Sequence, residues 1–183
     1  MPQESNTPAP STAPIPADDL NRELIVAQPD TDDNLPHIGL VGDTYTILLS
    51  GKDTAGQYCL IDMHIPPGGG PPPHRHDFEE TFSMLEGELE FTFRGVKKTA
   101  GAGTTVHIPA NAPHQFRNLS EKPARMLCIC SPAGQEEFFT KIGVAVATRT
   151  TVPPKLDEAG AAEFRAKAMA LALQYRTEGV RPE

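Results

Sequence analysis

The sequence predicts an all-β fold, a sandwich or barrel of short strands, with helices at the C-terminal end. Strand-like segments such as CLIDMHI and ELEFTF follow one another, separated by Gly, Pro or Asn breaks about every 8 to 12 residues. In CLIDMHI, residues 59–65, apolar side chains recur at every second position, which is typical of a strand with one buried face. No alternation of strands and helices of the kind that builds a parallel sheet occurs. The other strand-like segments are DTYTILLSG, ETFSMLEG, TTVHIPA, HQFRNLS and ARMLCICSP.

Three regions follow one another along the 183 residues. Residues 1–20 are polar and rich in proline, which predicts a disordered arm. Residues 21–133 are expected to form the β-barrel, and the segment DDLNRELIVAQ at its start is compatible with a short helical turn capped by Asp18 or Asp19. Residues 134–183 are predicted to form a helical extension that packs on the barrel.

Two helices are predicted in this extension. GQEEFFTKIG predicts a short helix, and residues 157–177 predict a longer one that ends before Gly179. Four apolar residues recur on one side of the longer helix, and this stripe is expected to pack on the barrel or on a partner subunit. The residues of the stripe are Phe164, Ala168, Leu171 and Tyr175.

Charge and composition exclude several classes of protein. The formal net charge is −8 and no run of Lys or Arg occurs, so the basic face that nucleic-acid binding requires is missing. No apolar run has the length of a membrane span, and the N-terminus lacks the features of a signal peptide. We therefore expect a cytoplasmic protein that binds neither nucleic acid nor membranes.

The three cysteines also favour a reducing compartment. Their number is odd and no CxxC pair occurs, which argues against a disulfide framework. Cys128 and Cys130 lie two apart in a predicted strand and therefore point to the same face. We expect these two and Cys59 to be small buried apolar residues.

One cluster of side chains indicates a metal site. His74 and His76 lie two apart and share a face in extended chain, and Glu80 keeps the same facing, whereas Glu79 points to the opposite side. His114 supplies a further imidazole. Three imidazoles and one carboxylate suit a divalent transition metal (Fe, Mn, Ni, Cu or Zn) and suit Ca²⁺ or Mg²⁺ poorly. An octahedral ion would keep two positions for water, substrate or O₂.

The spacing of these residues resembles two sequence motifs of the cupin superfamily. Gly68-x5-His74-x-His76-x3-Glu80-x6-Gly87 agrees with the first motif at every fixed position. Gly103-x5-Pro109-x-Asn111-x2-His114-x3-Asn118 agrees with the second, except that Asn111 stands where glycine is usual. Asparagine tolerates a positive φ better than most residues, so this difference is mild.

The chain is also similar to single-domain cupins described as quercetin 2,3-dioxygenase-like, through SPAGQEEFF and the helix after it. The resemblance implies a double-stranded β-helix, which is a small jelly-roll barrel closed by two sheets. It also implies that one divalent metal is held inside the barrel by the residues that match the family's ligands. These residues are His74, His76, Glu80 and His114.

The function that we expect is a metal-dependent dioxygenase, an oxidoreductase acting on a small phenolic or enolisable substrate. Glu80 would loosen from the metal and accept the substrate proton. Phe82 and Met84 share the face of Glu80, and Phe116 shares that of His114, so they would form an apolar wall of the substrate pocket. An assignment of these three residues to the barrel core is equally compatible with the sequence.

Two other functions remain open from the sequence. The same ligands would serve a lyase, isomerase or hydrolase that uses the ion as a Lewis acid. A non-enzymatic cupin that binds a small ligand is the third alternative. Barrels of this kind commonly form homodimers, often by exchanging N-terminal strands, so we expect a homodimer in which residues 20–50 or 157–177 supply the surface.

Overall fold

The computed structural model describes residues 12–180. The predicted disordered arm, residues 1–20, lies for the most part outside this range, and residues 12–20 are exposed and contain neither helix nor strand. In the segment predicted as a helical turn, one turn closes where the backbone N–H of Arg22 donates to the carbonyl of Asp19 at 3.0 Å. Beyond this turn the chain runs without a helix as far as the first strand.

Twelve strands and two α-helices make up the regular structure of residues 12–180, and the all-β class is confirmed. Each segment that the sequence predicts as strand between residues 43 and 131 contains one. In chain order the strands are His37–Leu40 (β1), Asp43–Leu49 (β2), Cys59–Ile65 (β3), His74–His76 (β4), Glu79–Glu86 (β5), Glu88–Phe93 (β6), Val96–Gly101 (β7), Thr105–Ile108 (β8), His114–Arg117 (β9), Ala124–Ser131 (β10), Val144–Ala145 (β11) and Thr177–Gly179 (β12).

These strands form two antiparallel sheets. One has seven strands in the order β11-β1-β2-β3-β10-β5-β8, and the other has five in the order β12-β4-β9-β6-β7. The ring of Phe82 on the first sheet lies 5.5 Å, centroid to centroid, from that of Phe116 on the second. The inner faces of the two sheets therefore meet in one core, the arrangement of the predicted jelly roll.

Alternation of side chains explains which face of each strand is buried. In β3 the side chains of Cys59, Ile61, Met63 and Ile65 are 0 to 2% exposed, as the period of two predicts. The cysteines of β10 are likewise fully buried in this core. Burying one such apolar side chain contributes about 1.5 to 3 kcal/mol before entropy is counted, so the barrel is held mainly by these inner faces.

The two α-helices follow the barrel as Gln135–Ile142 (α1) and Glu158–Ala172 (α2). Asp157 caps α2, since its Oδ1 accepts the backbone N–H of Gly160 at 2.8 Å. The four residues of the predicted stripe are partly buried against the core. No helix within residues 12–180 is long and apolar enough to cross a membrane.

The longer helix ends earlier than the sequence predicted. A 3-10 turn over Leu173–Tyr175 closes it, and Arg176 then takes a left-handed φ of 60°. Gly179 is not the helix stop, because it lies in β12, which pairs with β4. Helical periodicity does not reveal such a strand, because its partner lies about a hundred residues away in the sequence.

Candidate metal centre

The Pro- and Gly-rich loop before β4 is tied to its neighbours along its length. The backbone N–H of Gly68 donates to the carbonyl of Asn118 at 2.9 Å, and the N–H of Asn118 donates to Gly69 at 3.0 Å. The N–H of Gly70 donates to the carboxylate of Asp43 at 3.1 Å. Gly70 has a φ of 117°, and a Cβ there would lie 2.2 Å from the carbonyl oxygen of Phe116. Only glycine fits this position, so the loop is a rigid support for β4.

The four predicted ligands come together at the end of this loop. β4 supplies His74 and His76, β5 supplies Glu80 and β9 supplies His114. One ligand atom of each residue lies within 4.8 Å of those of the other three. His76, Glu80 and His114 are 3 to 4% exposed, whereas His74 is only partly buried. The open side of the cluster is therefore the side of His74.

A local hydrogen bond orients each of the three imidazoles in the same way. Nδ1 of His74 lies 3.0 Å from the carbonyl of Pro72, and Nδ1 of His76 lies 2.9 Å from that of Phe78. Nδ1 of His114 lies 2.9 Å from the carbonyl of Ala112. Because a carbonyl oxygen can only accept, each Nδ1 carries a proton, and Nε2 is the ring atom that would bind an ion. In His76 and His114 the ion would replace the hydrogen that Nε2 donates to Glu80. With an ion on Nε2, the proton stays on Nδ1, which is the tautomer that a metal-binding histidine requires.

The pKa values of two groups fit this role. Burial lowers the pKa of His74 to about 4, and the nearby His114 adds to this effect against the opposing influence of Glu80. Burial opposes ionisation of Glu80, but the hydrogen bonds with His114 and His76 outweigh it and hold the pKa of this carboxyl well below its usual range. At neutral pH the cluster thus contains a neutral His74 and an ionised Glu80.

Distances within the cluster suit one ion. Oε2 of Glu80 lies 3.1 Å from Nε2 of His76 and 3.1 Å from Nε2 of His114. Ligand atoms at right angles around an ion, with bonds of about 2.1 Å, lie about 3 Å apart. The donor set of three neutral nitrogens and one carboxylate oxygen fits a divalent transition metal. This cluster could hold such an ion, and its identity is open.

Glu79, the competing carboxylate, lies outside the cluster. Its Oε2 is 3.1 Å from Nε2 of His107, and both side chains are about half exposed. The alternation of side chains along β5 turns it to the outer face of the sheet, as predicted.

The three residues predicted to line a substrate pocket lie in the hydrophobic core. Phe82 and Met84 are 1% exposed and Phe116 is 3% exposed. The rings of Phe82, Phe91 and Phe116 contact one another at centroid distances of 5.4 to 5.9 Å, and Met84 belongs to the same core. A contact of these residues with substrate stays a prediction.

A cavity of about 490 Å³ lies beside the cluster. It is bordered by the loop at residues 51–56, the start of α1 and residues 174–176. Phe78 lies between the cavity and the cluster. Its ring lines the cavity and stacks on the ring of His76, with the two centroids 3.9 Å apart and an interplanar angle of 4°. This stacking adds a second constraint on the orientation of the His76 ring.

Two cysteines that the sequence assigned only to the core contact a predicted ligand. The thiol of Cys128 donates to Oε1 of Glu80 at 3.3 Å, and Cys130 lies 3.8 Å from the same oxygen. Burial raises the pKa of the Cys128 thiol to about 12, so it stays protonated. The sequence does show that both thiols share a face, but the pairing of β10 with β5 that brings them to Glu80 is tertiary.

Comparison with known proteins supports the family. Residues 61–130 match the cupin domain family. Over 106 residues the chain is 31% identical to quercetin 2,3-dioxygenase of Bacillus subtilis. The aligned region covers 57% of this chain and 31% of that protein. Over 74 residues it is 35% identical to auxin-binding protein 1 of Arabidopsis thaliana. This aligned region covers 36% of this chain and 37% of that protein. The chain thus spans about a third of the length of each of these two relatives.

The fold comparison agrees. The structure of a predicted oxalate decarboxylase from Thermotoga maritima superimposes with a TM-score of 0.52 at 20% identity, covering 59% of this chain and 99% of that one. The two facing antiparallel sheets and the His/Glu cluster between their strands define a barrel protein with a candidate metal centre. Together with the family match, they show that residues 61–130 of this chain are a cupin domain.

Proposed function

We propose that this cupin is a metal-dependent dioxygenase that acts on a small phenolic or enolisable compound. The observation that carries the proposal is the cluster of His74, His76, Glu80 and His114, whose ligand atoms lie within 4.8 Å of one another. Four protein ligands on a six-coordinate ion leave two positions, which is what a reaction between O₂ and a second substrate requires. The partly exposed edge of His74 supports access to these positions.

The residues of the site have distinct roles in this proposal. A bound redox-active ion would polarise a substrate oxygen and supply the electron-transfer chemistry that O₂ requires. The three imidazoles bind through Nε2, and their Nδ1 hydrogen bonds to carbonyls hold the rings in place. Oε2 of Glu80 faces the imidazoles and is both the ligand and the atom that accepts the substrate proton.

The relatives support the reaction class without defining the substrate. The Bacillus subtilis relative is by name a dioxygenase acting on quercetin. The identity of 31% over 57% of this chain supports oxygen-dependent chemistry on a related kind of compound. The buried aromatic residues around the site would keep bulk water from the reacting groups.

Metal content and oxygen uptake test the proposal. Protein purified without added ions is expected to contain about one Fe, Mn, Ni or Cu per chain, and to consume O₂ with at least one compound from a panel of flavonols, catechols and β-diketones. Zinc as the native ion would argue against the proposal, because zinc has no redox step. A protein that cannot be loaded with any of these ions would contradict the site itself.

A binding role without turnover is the alternative that one comparison favours. Auxin-binding protein 1 is by name a protein that binds auxin, and it is 35% identical to this chain over 74 residues. Calorimetric binding of a panel compound by the metal-loaded protein, with neither O₂ uptake nor any product, would favour this role. Product formation without O₂ uptake would instead favour a lyase or isomerase.

A further inference from the structure

The two oxygens of Glu80 face different chemical groups. Oε2 lies 3.1 Å from Nε2 of both His76 and His114, on the side of the candidate metal. Oε1 points the other way and accepts a hydrogen bond from the thiol of Cys128 at 3.3 Å. The second thiol, that of Cys130, lies 3.8 Å from Oε1 and 3.6 Å from the sulfur of Cys128.

Strand pairing holds this arrangement in place. β10 lies beside β5 in register, with Cys130 opposite Glu80 and Cys128 opposite Phe82. Both cysteines are 0% exposed, so water does not compete for Oε1. A carboxylate oxygen can only accept a hydrogen bond, and among the described residues the thiols are the donors found at Oε1. The hydrogen bond therefore fixes the rotation of the carboxylate.

We propose that Cys128 is a positioning residue that anchors Glu80 through Oε1, so that Oε2 alone serves the metal and the substrate proton. The inference rests on the proposed metal centre. A carboxylate anchored in this way binds an ion through one oxygen and keeps two of six positions open. A carboxylate free to rotate can bind through both oxygens and close one of these positions.

Cobalt(II) loaded into the metal-free protein provides the test. The variants Cys128→Ala and Cys128→Val remove the donor, and the valine also fills the volume in case the alanine variant folds poorly. Cys128→Ser retains a donor. Cys59→Ala is the matched control, because Cys59 is equally buried and lies opposite Cys130 on β3 and not beside Glu80. The readouts are the visible spectrum of Co(II), the infrared carboxylate stretches and the affinity of the loaded protein for azide.

In the wild type, in Cys128→Ser and in Cys59→Ala we expect the infrared signature of coordination through one carboxylate oxygen. Cys128→Ala and Cys128→Val are expected to show coordination through both oxygens, a shifted Co(II) spectrum and azide binding weaker by about tenfold. If all five proteins bind Co(II) with the same spectrum and azide affinity, Cys128 is only a core residue and the inference is wrong. A wild type that binds no Co(II) contradicts the metal centre itself, an outcome visible before any variant is compared.

Discussion

Asn111 shows how one residue serves the site without touching it. Its φ is 69°, in the left-handed region, at the motif position where glycine is usual. Its backbone N–H donates to the carbonyl of His76 at 2.6 Å, which ties the turn before β9 to the strand that carries two predicted ligands. Asparagine is among the few non-glycine residues that tolerate this conformation. The departure from the motif therefore keeps the geometry that the motif requires.

Asp43 gives a pH-dependent prediction at the residue scale. It is 3% exposed, and burial raises its pKa to about 7 although Tyr45 and Gly70 donate hydrogen bonds to it. The folded pKa lies above the unfolded value of 3.8, so its protonated form is favoured by folding. Its contribution to stability is complete below about pH 4 and is lost as the pH rises through about 7.

We expect Asp43→Asn to remove this part of the pH dependence of stability. The variant should gain up to about 4 kcal/mol relative to the wild type between pH 4 and pH 8, as measured by urea unfolding. Asp53→Asn is the matched control, because the pKa of the exposed Asp53 is lowered by hydrogen bonds with Ser50 and this group titrates below that window. Parallel stability curves for Asp43→Asn and the wild type would contradict the assignment.

Substitutions of His76 and His107 give a paired test of the metal site. His76 lies in the cluster, whereas His107 is exposed and pairs with Glu79 on the outer face. Saturating Mn²⁺ or Co²⁺ should raise the melting temperature of the wild type and of His107→Ala, because a ligand that binds only the folded state stabilises it. His76→Ala should show no such rise. Equal increases in all three proteins would show that the ion binds elsewhere.

At the element scale, β12 helps to hold the site because it pairs with β4, the strand that carries His74 and His76. The strand β4 pairs with β9 through His74 and His114 alone, and its other edge is covered by β12. Thr177 lies opposite His76 and Gly179 opposite His74. The strand β12 therefore supplies most of the backbone partners of the strand that carries two predicted ligands.

Two ion pairs add to this pairing. Arg75 pairs with Glu178, and Arg176 lies 2.7 Å from Asp77. All four side chains are about half exposed, so each pair contributes at most about 1 kcal/mol. The strand pairing, not the charges, is expected to provide most of the attachment.

A chain that ends at Arg176 lacks β12 and tests this role. Because the backbone groups of β4 then face water, we expect the melting temperature to fall by about 5 °C and the affinity for Co²⁺ to fall about tenfold. A chain that ends at Val180 retains β12 and is the control. If the two truncated proteins bind Co²⁺ equally well, β12 does not hold the site.

At the scale of the whole molecule, an exposed apolar segment precedes the barrel. Leu20, Leu24 and Val26 are 87, 90 and 69% exposed. Leu24 and Val26 lie two residues apart in extended chain, so their side chains point to the same side. This is the arrangement by which an added strand contacts a partner. Exposed apolar side chains of this kind are typical of interaction surfaces, so we propose this segment as the surface of the homodimer, which stays a prediction.

We expect the protein to be a dimer in light scattering after size-exclusion chromatography. The double variant Leu24→Asp, Val26→Asp should be a monomer, because buried unpaired charges are costly at an interface. Met169→Glu, at an exposed apolar position of α2, serves as the control and should stay dimeric. A monomeric wild type would contradict the prediction, and a monomeric Met169→Glu would move the interface to α2.

The sequence alone predicts much of the barrel and the membership of the site. The period of two along strands such as β3 reports which side chains are buried, because each strand alternates between two faces. The fixed spacings of the two motifs predict that His74, His76, Glu80 and His114 act together. Asn111 follows the same logic, since its tolerance of a positive φ is a property of the residue itself.

Only the tertiary structure decides what surrounds these residues. The strand β12 follows directly on a helix and forms because β4 offers it an edge, a partner that local periodicity cannot reveal. In the same way, β10 must lie in register beside β5 before Cys128 can reach Oε1 of Glu80. Local pattern determines facing and residue type, whereas contacts between distant strands depend on register, and register is a property of the folded sheets.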